Sequence, residues 1–148
     1  MAVPMKLGYA DLLIGTAAEY LVCADLMLMG YPAFRSDQGC PYDIAVDVGH
    51  RLIRLQVKST RSARTFPQQK QRHITGYSWG SRQGKGARRA CNPAHFDIIA
   101  FVALDTRQVA YVPSAKVKQT FQIPITGHTR STRSFVDYQF LPCLETLK

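Results

Sequence analysis

Apolar and polar side chains alternate between residues 43 and 58 with the period of two that is typical of β-strands. The alternation predicts a hairpin of two short strands joined by a tight turn at Val48-Gly49. One face of this hairpin is aliphatic throughout and holds Ile44, Val46, Val48, Ile53, Leu55 and Val57. The opposite face is then polar.

The polar face of the hairpin holds Asp43, Gln56 and Lys58. A turn at Val48-Gly49 pairs Asp43 with Arg54, which makes Gln56 and Lys58 diagonal neighbours of Asp43 within side-chain reach. A turn one residue longer would reverse the faces. Two interpretations stay open at this point. The face is either an ordinary solvated surface or a site that holds a divalent metal beside a lysine, as phosphodiester hydrolysis requires.

A long apolar segment from Leu12 to Met29 predicts a helix that ends at Gly30, with Tyr31-Pro32 beyond it. Glu19 lies inside this segment, and its helical neighbours are small or apolar. A carboxylate on such a face is costly unless it is paired, protonated or bound to a metal. The alternative is a glutamate at the edge of the helix that reaches water.

Shorter apolar runs further along the chain predict the strands of a mixed sheet. The predicted elements are strands at Ile74–Trp79, Phe96–Leu104, Val109–Val112, Phe121–Thr126 and Phe135–Leu141, and a short helix from Ser114 through Gln119 that Ser114 caps. No helix is predicted between residues 61 and 73, where apolar residues are scarce. With 148 residues and no repeat or linker, one α/β domain over residues 1–148 is expected.

The charge of the chain is distributed unevenly. The formal net charge is +9, and the stretch from Val48 to Phe96 holds 11 Lys or Arg residues and no Asp or Glu. A basic stretch beside a candidate metal site favours a nucleic-acid backbone as its partner, ahead of a solvated surface or an anionic-membrane patch.

The residues expected to contact nucleic acid lie within a basic loop region at about 61–95. They are Arg61, Arg64, Lys70, Arg72, Tyr77, Trp79, Arg82, Lys85, Arg88 and Arg89. The two aromatic rings could stack on bases or pack under the loop. Gly80–Arg89 is predicted to be a flexible loop, and Gly127–Ser134 a second basic turn that could touch DNA.

Four cysteines, at positions 23, 40, 91 and 143, form no close pairs and are expected to be reduced. Cys91 and His95 could bind zinc with His73 or Cys40, but no paired CxxC motif supports such a site. Acidic residues interrupt the first apolar segment, so neither a signal peptide nor a transmembrane span is expected. The expected location is cytoplasmic or nucleoid-associated.

Three short motifs together resemble the PD-(D/E)XK nuclease superfamily. They are Gly15-x3-Glu19 on the first helix, Tyr42-Asp43, and Gln56-x-Lys58 on the second strand of the hairpin. The resemblance is strongest over residues 8–60 and to compact members, namely small homing endonucleases and archaeal-type Holliday-junction resolvases. It implies a restriction-endonuclease-like core, a mixed β-sheet flanked by the long N-terminal helix.

The resemblance implies a role for each of four site residues. Asp43 corresponds to the metal-binding aspartate, and Lys58 to the motif lysine that orients water or offsets charge in the transition state. Glu19 corresponds to the helix glutamate that holds metal directly or through water. Gln56 stands where most members have an acid, and its amide oxygen can coordinate a hard cation without adding charge. Tyr42 replaces the proline of the motif name.

The resulting hypothesis is a Mg²⁺-dependent endodeoxyribonuclease that acts on double-stranded or branched DNA, with Mn²⁺ as a possible substitute. Because one site cuts one strand, a homodimer or homotetramer is expected. Two alternatives stay open. One is a nuclease-fold protein that binds DNA without cutting, in which Gln56 marks lost catalysis. The other is a basic RNA-associated interaction module whose polar hairpin face is only surface.

Two further acidic residues lie near the candidate site. Asp47 is a weaker ligand than Asp43, because four residues of strand separate the two by about 13 Å. Its expected place is the end of the hairpin. Asp97, at the start of a predicted strand, is expected to have a structural role.

Overall fold

The computed structural model describes residues 7–67, 73–80, 92–126 and 134–147 of the chain. Its elements, in chain order, are helix α1 (Leu7–Leu28), strands β1 (Ala33–Arg35), β2 (Ile44–Asp47), β3 (Leu52–Thr60), β4 (Arg64–Pro67), β5 (His73–Gly80), β6 (Ile98–Ala103), β7 (Gln108–Pro113) and β8 (Thr120–Thr126), and helix α2 (Phe140–Glu145), with short 3₁₀ segments at Ser114–Lys116 and Phe135–Tyr138. The mixed α/β architecture confirms the predicted fold class. Apart from their end residues Gly80 and Ser134, the two predicted basic loops lie outside the described residues.

The strands form two sheets. The larger has five strands in the order β1-β2-β3-β6-β7, and the smaller has three in the order β4-β5-β8. Within the larger sheet only β3 and β6 are parallel, so the sheet is mixed as predicted. The strands predicted at Ile74–Trp79, Phe96–Leu104, Val109–Val112 and Phe121–Thr126 are confirmed as β5, β6, β7 and β8.

Helix α1 ends at the glycine that the sequence indicated. Gly30 has φ +91°, a conformation that glycine adopts without strain. Its N–H donates to the Met27 carbonyl, and the Tyr31 N–H donates to the Leu26 carbonyl. These two bonds are the Schellman motif, which satisfies the last carbonyls of the helix and turns the chain toward β1.

The turn of the hairpin is two residues longer than predicted. Four residues connect β2 to β3, and Ile44 pairs with Leu55. The predicted pairing of Asp43 with Arg54 is therefore wrong. The same register, continued by one residue, sets Asp43 opposite Gln56. Because the shift is two residues, every side chain keeps its predicted face.

The two faces of the larger sheet pack on two separate cores. The first core lies between the sheet, α1 and α2, and it takes in all six aliphatic side chains of the hairpin: Ile44, Val46, Ile53 and Leu55 are buried, and Val48 and Val57 are half-buried. The second core lies between the opposite face and the smaller sheet, and it is rich in aromatic rings. On β3, Gln56 and Lys58 alternate with the aliphatic residues of the first core and so lie on the opposite face of the sheet.

Two predictions near the end of the chain are wrong. Phe135–Leu141 is a 3₁₀ turn that leads into α2 rather than a strand, because Phe140 and Cys143 lie one turn apart and both face the first core. Ser114 starts a single 3₁₀ turn, and its side chain does not cap it. The Ser114 hydroxyl instead donates to the Phe96 carbonyl at 2.8 Å.

Among the helices that the structure describes, none combines the length and the apolar character needed to cross a membrane.

Candidate active site

Asp43 lies directly before β2 and is partly buried. Its Oδ2 accepts two hydrogen bonds, one from the amide of Gln56 and one from the backbone N–H of Val57, both at 2.7 Å. Burial raises the pKa of Asp43, and the charge of Glu19 raises it further. The Val57 N–H and the cations nearby, Lys58 among them, lower that pKa without reversing the net rise.

Gln56 and Lys58 come from β3, where a spacing of two residues puts both side chains on one face of the strand. The Gln56 Nε2 is used by Asp43, so its amide oxygen is the atom left for a cation or for water. The Lys58 ammonium is close enough to lower the pKa of Asp43. The three residues that follow one another along the hairpin, Asp43, Gln56 and Lys58, are therefore also close together in space.

Glu19 forms an ion pair with Arg35 of β1. The Arg35 Nε lies 2.7 Å from the Glu19 Oε2, and the Glu19 side chain is 22% exposed. Arg35 also donates to the Tyr20 hydroxyl at 3.1 Å, with its guanidinium carbon 4.6 Å from the centre of the Tyr20 ring. Of the states expected for a carboxylate on this helix face, the structure shows the paired one.

Glu19 and Asp43 both line one cleft of about 340 Å³. One wall is the N-terminal half of α1, and the other is the segment that joins β1 to β2. The lining residues are Asp11, Leu12, Gly15, Thr16 and Glu19 on the helix, and residues 35–40, Tyr42 and Asp43 on the segment. The cleft thus brings together the Gly15-x3-Glu19 motif of the helix and the Tyr42-Asp43 motif.

The oxygen donors at this cleft suit a small, hard cation. Asp43 and Glu19 line it with carboxylates, and Gln56, which does not line the cleft but bonds Asp43, adds an amide oxygen beside it. These are the ligand types that Mg²⁺ takes when it keeps several waters. Both described hydrogen bonds to the Asp43 side chain end on Oδ2. Across the described ranges no three His, Cys, Asp or Glu side chains form a metal-binding group.

The structure corrects the assignment of the two aromatic residues. Tyr77 is 3% exposed and Trp79 is 2% exposed, and both belong to the second core. The indole N–H of Trp79 donates to the Val102 carbonyl at 3.0 Å. Base stacking needs an open ring face, so neither residue is placed to stack on nucleic acid, and the alternative of packing inside the protein describes them.

Of the basic residues expected to contact nucleic acid, Arg61 and Arg64 are exposed near the end of β3 and the start of β4. Arg61 also lies 3.2 Å from Asp11, which lines the cleft. The remaining members of that set lie outside the described residues: Lys70, Arg72, Arg82, Lys85, Arg88 and Arg89.

The other acidic residues have the structural roles expected of them. The Asp47 Oδ1 accepts the Gly49 N–H at 2.8 Å and so stabilises the hairpin turn. Asp97 pairs with Arg54 at 3.1 Å and also accepts the Arg54 backbone N–H. Burial acts to raise the pKa of Asp97, but the hydrogen bonds and charge of Arg54 bring it below the usual value. For the proposed zinc site, Cys91 lies outside the described residues.

Arg35 and the segment that follows it were missed by the sequence analysis. The sequence does carry a signal, because a short apolar run at Ala33-Phe34 is followed by a polar, glycine-containing loop directly before the Tyr42-Asp43 motif. A loop that ends in a ligand position commonly forms one wall of a site. Nothing in the sequence indicates that Arg35 pairs with Glu19, which lies 16 residues earlier in the chain.

Comparisons with known proteins agree with this arrangement. The family model of the PD-(D/E)XK endonucleases matches residues 11–141, a range that contains all four site residues. A solved structure of a bacterial homing endonuclease, I-Ssp6803I, has a similar fold, with a TM-score of 0.63 over 85% of this chain and 86% of that one. The sequence identity is 17%, so this likeness concerns the fold alone. No curated protein matches the chain.

Proposed function

This chain belongs to the family of PD-(D/E)XK endonucleases, and from that premise we propose that it is a Mg²⁺-dependent endonuclease that hydrolyses phosphodiester bonds of double-stranded or branched DNA. The observation that carries the proposal is the cluster of Asp43, Gln56 and Lys58, whose member Asp43 lines a cleft together with Glu19. This cluster combines oxygen ligands for a cation with an ammonium group, and an ordinary solvated face does not require that combination.

Asp43, Gln56 and Glu19 are the residues that would hold the cation. When bound, a divalent metal polarises the scissile phosphate and lowers the pKa of a bound water. The hydrogen bonds from Gln56 and Val57 fix the orientation of the Asp43 carboxylate, so it does not have to reorganise during the reaction.

Lys58 has the second role in the reaction. Its ammonium group is positioned by β3, a central strand of the larger sheet, and offsets the negative charge that develops on the phosphate. Arg35 neutralises Glu19 in the same cleft and holds that carboxylate against the wall. Both cations therefore reduce the repulsion that a phosphate would meet between two carboxylates.

The proposed substrate follows from charge. The net charge of +9 and the acid-free stretch from Val48 to Phe96 support binding of a phosphate backbone. Arg61 and Arg64 are exposed beside the strand that carries Lys58. Two strands need two cuts, so the proposed active form is a symmetric homodimer or homotetramer. The proposed location is the cytoplasm or the nucleoid.

The test is cleavage of supercoiled plasmid DNA and of a synthetic four-way junction by the purified protein in Mg²⁺, Mn²⁺ or EDTA. The proposal predicts metal-dependent cutting that Lys58→Ala and Asp43→Asn both abolish, while DNA binding is kept. The preferred substrate would distinguish a junction-specific from a duplex-specific enzyme. Cutting that persists in EDTA, or in both variants, would contradict the proposed site.

A second function, DNA binding without cleavage, is favoured by one observation. Gln56 is neutral and donates a hydrogen bond to Asp43, so residue 56 brings no charge to a cation and has a partner without one. Tight, salt-sensitive DNA binding, with no cleavage of a random-sequence duplex library in Mg²⁺ or Mn²⁺, would select this function. If neither DNA binding nor cleavage is found, an RNA-associated role would be the remaining hypothesis.

A further inference from the structure

Helix α1 is apolar on the side that faces away from the protein as well as on the side that faces the core. Ala18, Val22 and Leu26 lie in the first core. The opposite side of the helix carries Leu13, Ala17, Tyr20, Ala24, Met27 and Leu28, all of them exposed. We call these six residues the outer α1 face. A helix with apolar side chains on two opposite faces is commonly covered on both, so this face is a candidate contact surface.

The exposures on the outer α1 face are large. Leu13 is 51% exposed, Tyr20 59%, Met27 54% and Leu28 88%. No charged residue lies on this face over the four turns from Leu13 to Leu28, although the chain carries 29 Lys, Arg, Asp and Glu side chains. A surface helix in contact with water ordinarily places its charges there.

The spacing of the outer α1 face matches helix-to-helix packing. Leu13, Ala17, Tyr20, Ala24 and Met27 follow one another at intervals of four, three, four and three residues. This is the 3.5-residue repeat that keeps one stripe of a helix against a parallel or antiparallel partner. A lipid surface does not require such a repeat.

The size pattern of the stripe identifies the partner. Large and small side chains alternate in the order Leu13, Ala17, Tyr20, Ala24, Met27, and this order of sizes is the same in both directions. Two copies related by a two-fold axis near Tyr20 would therefore set each Ala17 opposite the partner's Ala24, and the large residues would meet at the ends and centre. A two-fold interface requires such reciprocal contacts, in which Ala17 meets the partner's Ala24 and Ala24 meets the partner's Ala17.

We propose that the outer α1 face is the interface of an antiparallel homodimer of this chain. None of the six residues is charged, and Arg35, which lies over the Tyr20 ring, is paired with Glu19, so two protomers of net charge +9 can meet there without unpaired like charges. Four turns of helix span about 24 Å, and such a contact is at the small end of specific interfaces. The dimer is accordingly expected to dissociate at concentrations in the range of about 1–100 µM.

The proposed interface deepens the proposed function. It rests on that function in one respect only, the need for two active sites in one assembly. The α1 residues that line the cleft are on the same helix as the interface. Arg35 bonds both Glu19 and Tyr20, so the centre of the interface adjoins a site residue. Tyr20 is for this reason left unchanged in the test.

The test is the mass of the full-length protein in sedimentation velocity over that concentration range, for the wild type, A17E, A24K and the double variant A17E/A24K. The wild type should reach about twice the 16.6 kDa of one chain. Each single variant should remain a monomer, because it buries an unpaired charge. The double variant should recover the dimer, because each Glu would then face the partner's Lys. Leu141→Lys, at an exposed apolar position of α2, is the matched control and should dimerise as the wild type does.

Several results would overturn the proposal. They are a wild type that remains monomeric throughout, single variants that keep the dimer, or a double variant that stays monomeric while its helix content is unchanged. A monomeric wild type that sediments with phosphatidylglycerol vesicles would assign the face to a membrane surface instead. The mass is measured without DNA or metal, so a dimer that cuts nothing would reject the proposed function and retain the interface.

Discussion

The side chain of Asp43 lies in a position where burial disfavours the negative charge of its carboxylate. The pKa of Asp43 is raised chiefly by burial, and Glu19 adds to the effect. Hydrogen bonds from Gln56 and Val57 hold the carboxylate in place, but they do not remove the cost. A strained electrostatic position of this kind is typical of a functional site, where a bound cation would offset the cost.

The raised pKa of Asp43 predicts how Asp43→Asn changes stability with pH. Above the folded-state pKa the buried charge destabilises the wild type, and below the ordinary value of 3.8 both states are protonated and the cost disappears. In EDTA at pH 7 we expect the asparagine variant to be more stable than the wild type and to have a higher Tm, and at pH 3 we expect this advantage to disappear. Thermal unfolding from pH 3 to pH 8 measures it. A variant less stable than the wild type at pH 7 would contradict the account.

Gln56→Glu tests whether residue 56 faces the cation position. The change removes the donor to Asp43 and sets two carboxylates side by side, so without metal we expect a loss of about 2 kcal/mol. Mg²⁺ should relieve the repulsion and raise the Tm of this variant more than that of the wild type. Gln56→Met, which loses the donor without adding charge, is the control. An equal effect of Mg²⁺ on the wild type and Gln56→Glu would place residue 56 away from the cation.

At the scale of elements, the smaller sheet depends on one close approach between strands. At Gly76 of β5 an added Cβ would lie 2.5 Å from the Ile123 carbonyl oxygen and 2.8 Å from the Pro124 Cα of β8. Both contacts are with backbone, and a register shift lies at the same point. The glycine therefore allows β8 to pack beside β5 at an irregular point of the ladder.

Gly76→Ala is accordingly expected to lower the free energy of unfolding by about 2 kcal/mol or more, because backbone rather than a side-chain end has to move. The matched control is Gly15→Ala on α1, where a Cβ meets nothing within 4 Å. That change should stabilise the helix by about 0.5–1 kcal/mol. Chemical denaturation of both variants measures the difference. If the two changes altered the free energy of unfolding equally, the close approach of β5 and β8 would not constrain residue 76.

The elements themselves were largely predictable from local pattern. The faces of the hairpin and the end of α1 at Gly30 were predicted correctly, because alternation and a terminal glycine are local signals. The turn length was wrong by two residues, since parity restricts register only to steps of two. The segment from Phe135 was wrong because a short apolar run does not distinguish a strand from a helix.

At the scale of the whole molecule, contacts between residues far apart in the sequence are the ones that could not be predicted. Asp43, Gln56 and Lys58 could be brought together from one hairpin. The pairing of Glu19 with Arg35 depends on how α1 packs against β1, and the burial of Trp79 depends on the smaller sheet covering the larger one. No local pattern encodes these contacts.

The central claim is that the cleft at Asp43 binds a divalent cation, and calorimetric titration with Mn²⁺ tests it most directly because it needs no knowledge of the DNA substrate. Asp47→Asn is the matched control, since Asp47 shares the strand face but bonds Gly49 at the hairpin end. We expect the wild type and Asp47→Asn to bind alike and Asp43→Asn to bind about tenfold more weakly or not at all. Equal binding by the wild type and Asp43→Asn would contradict the claim.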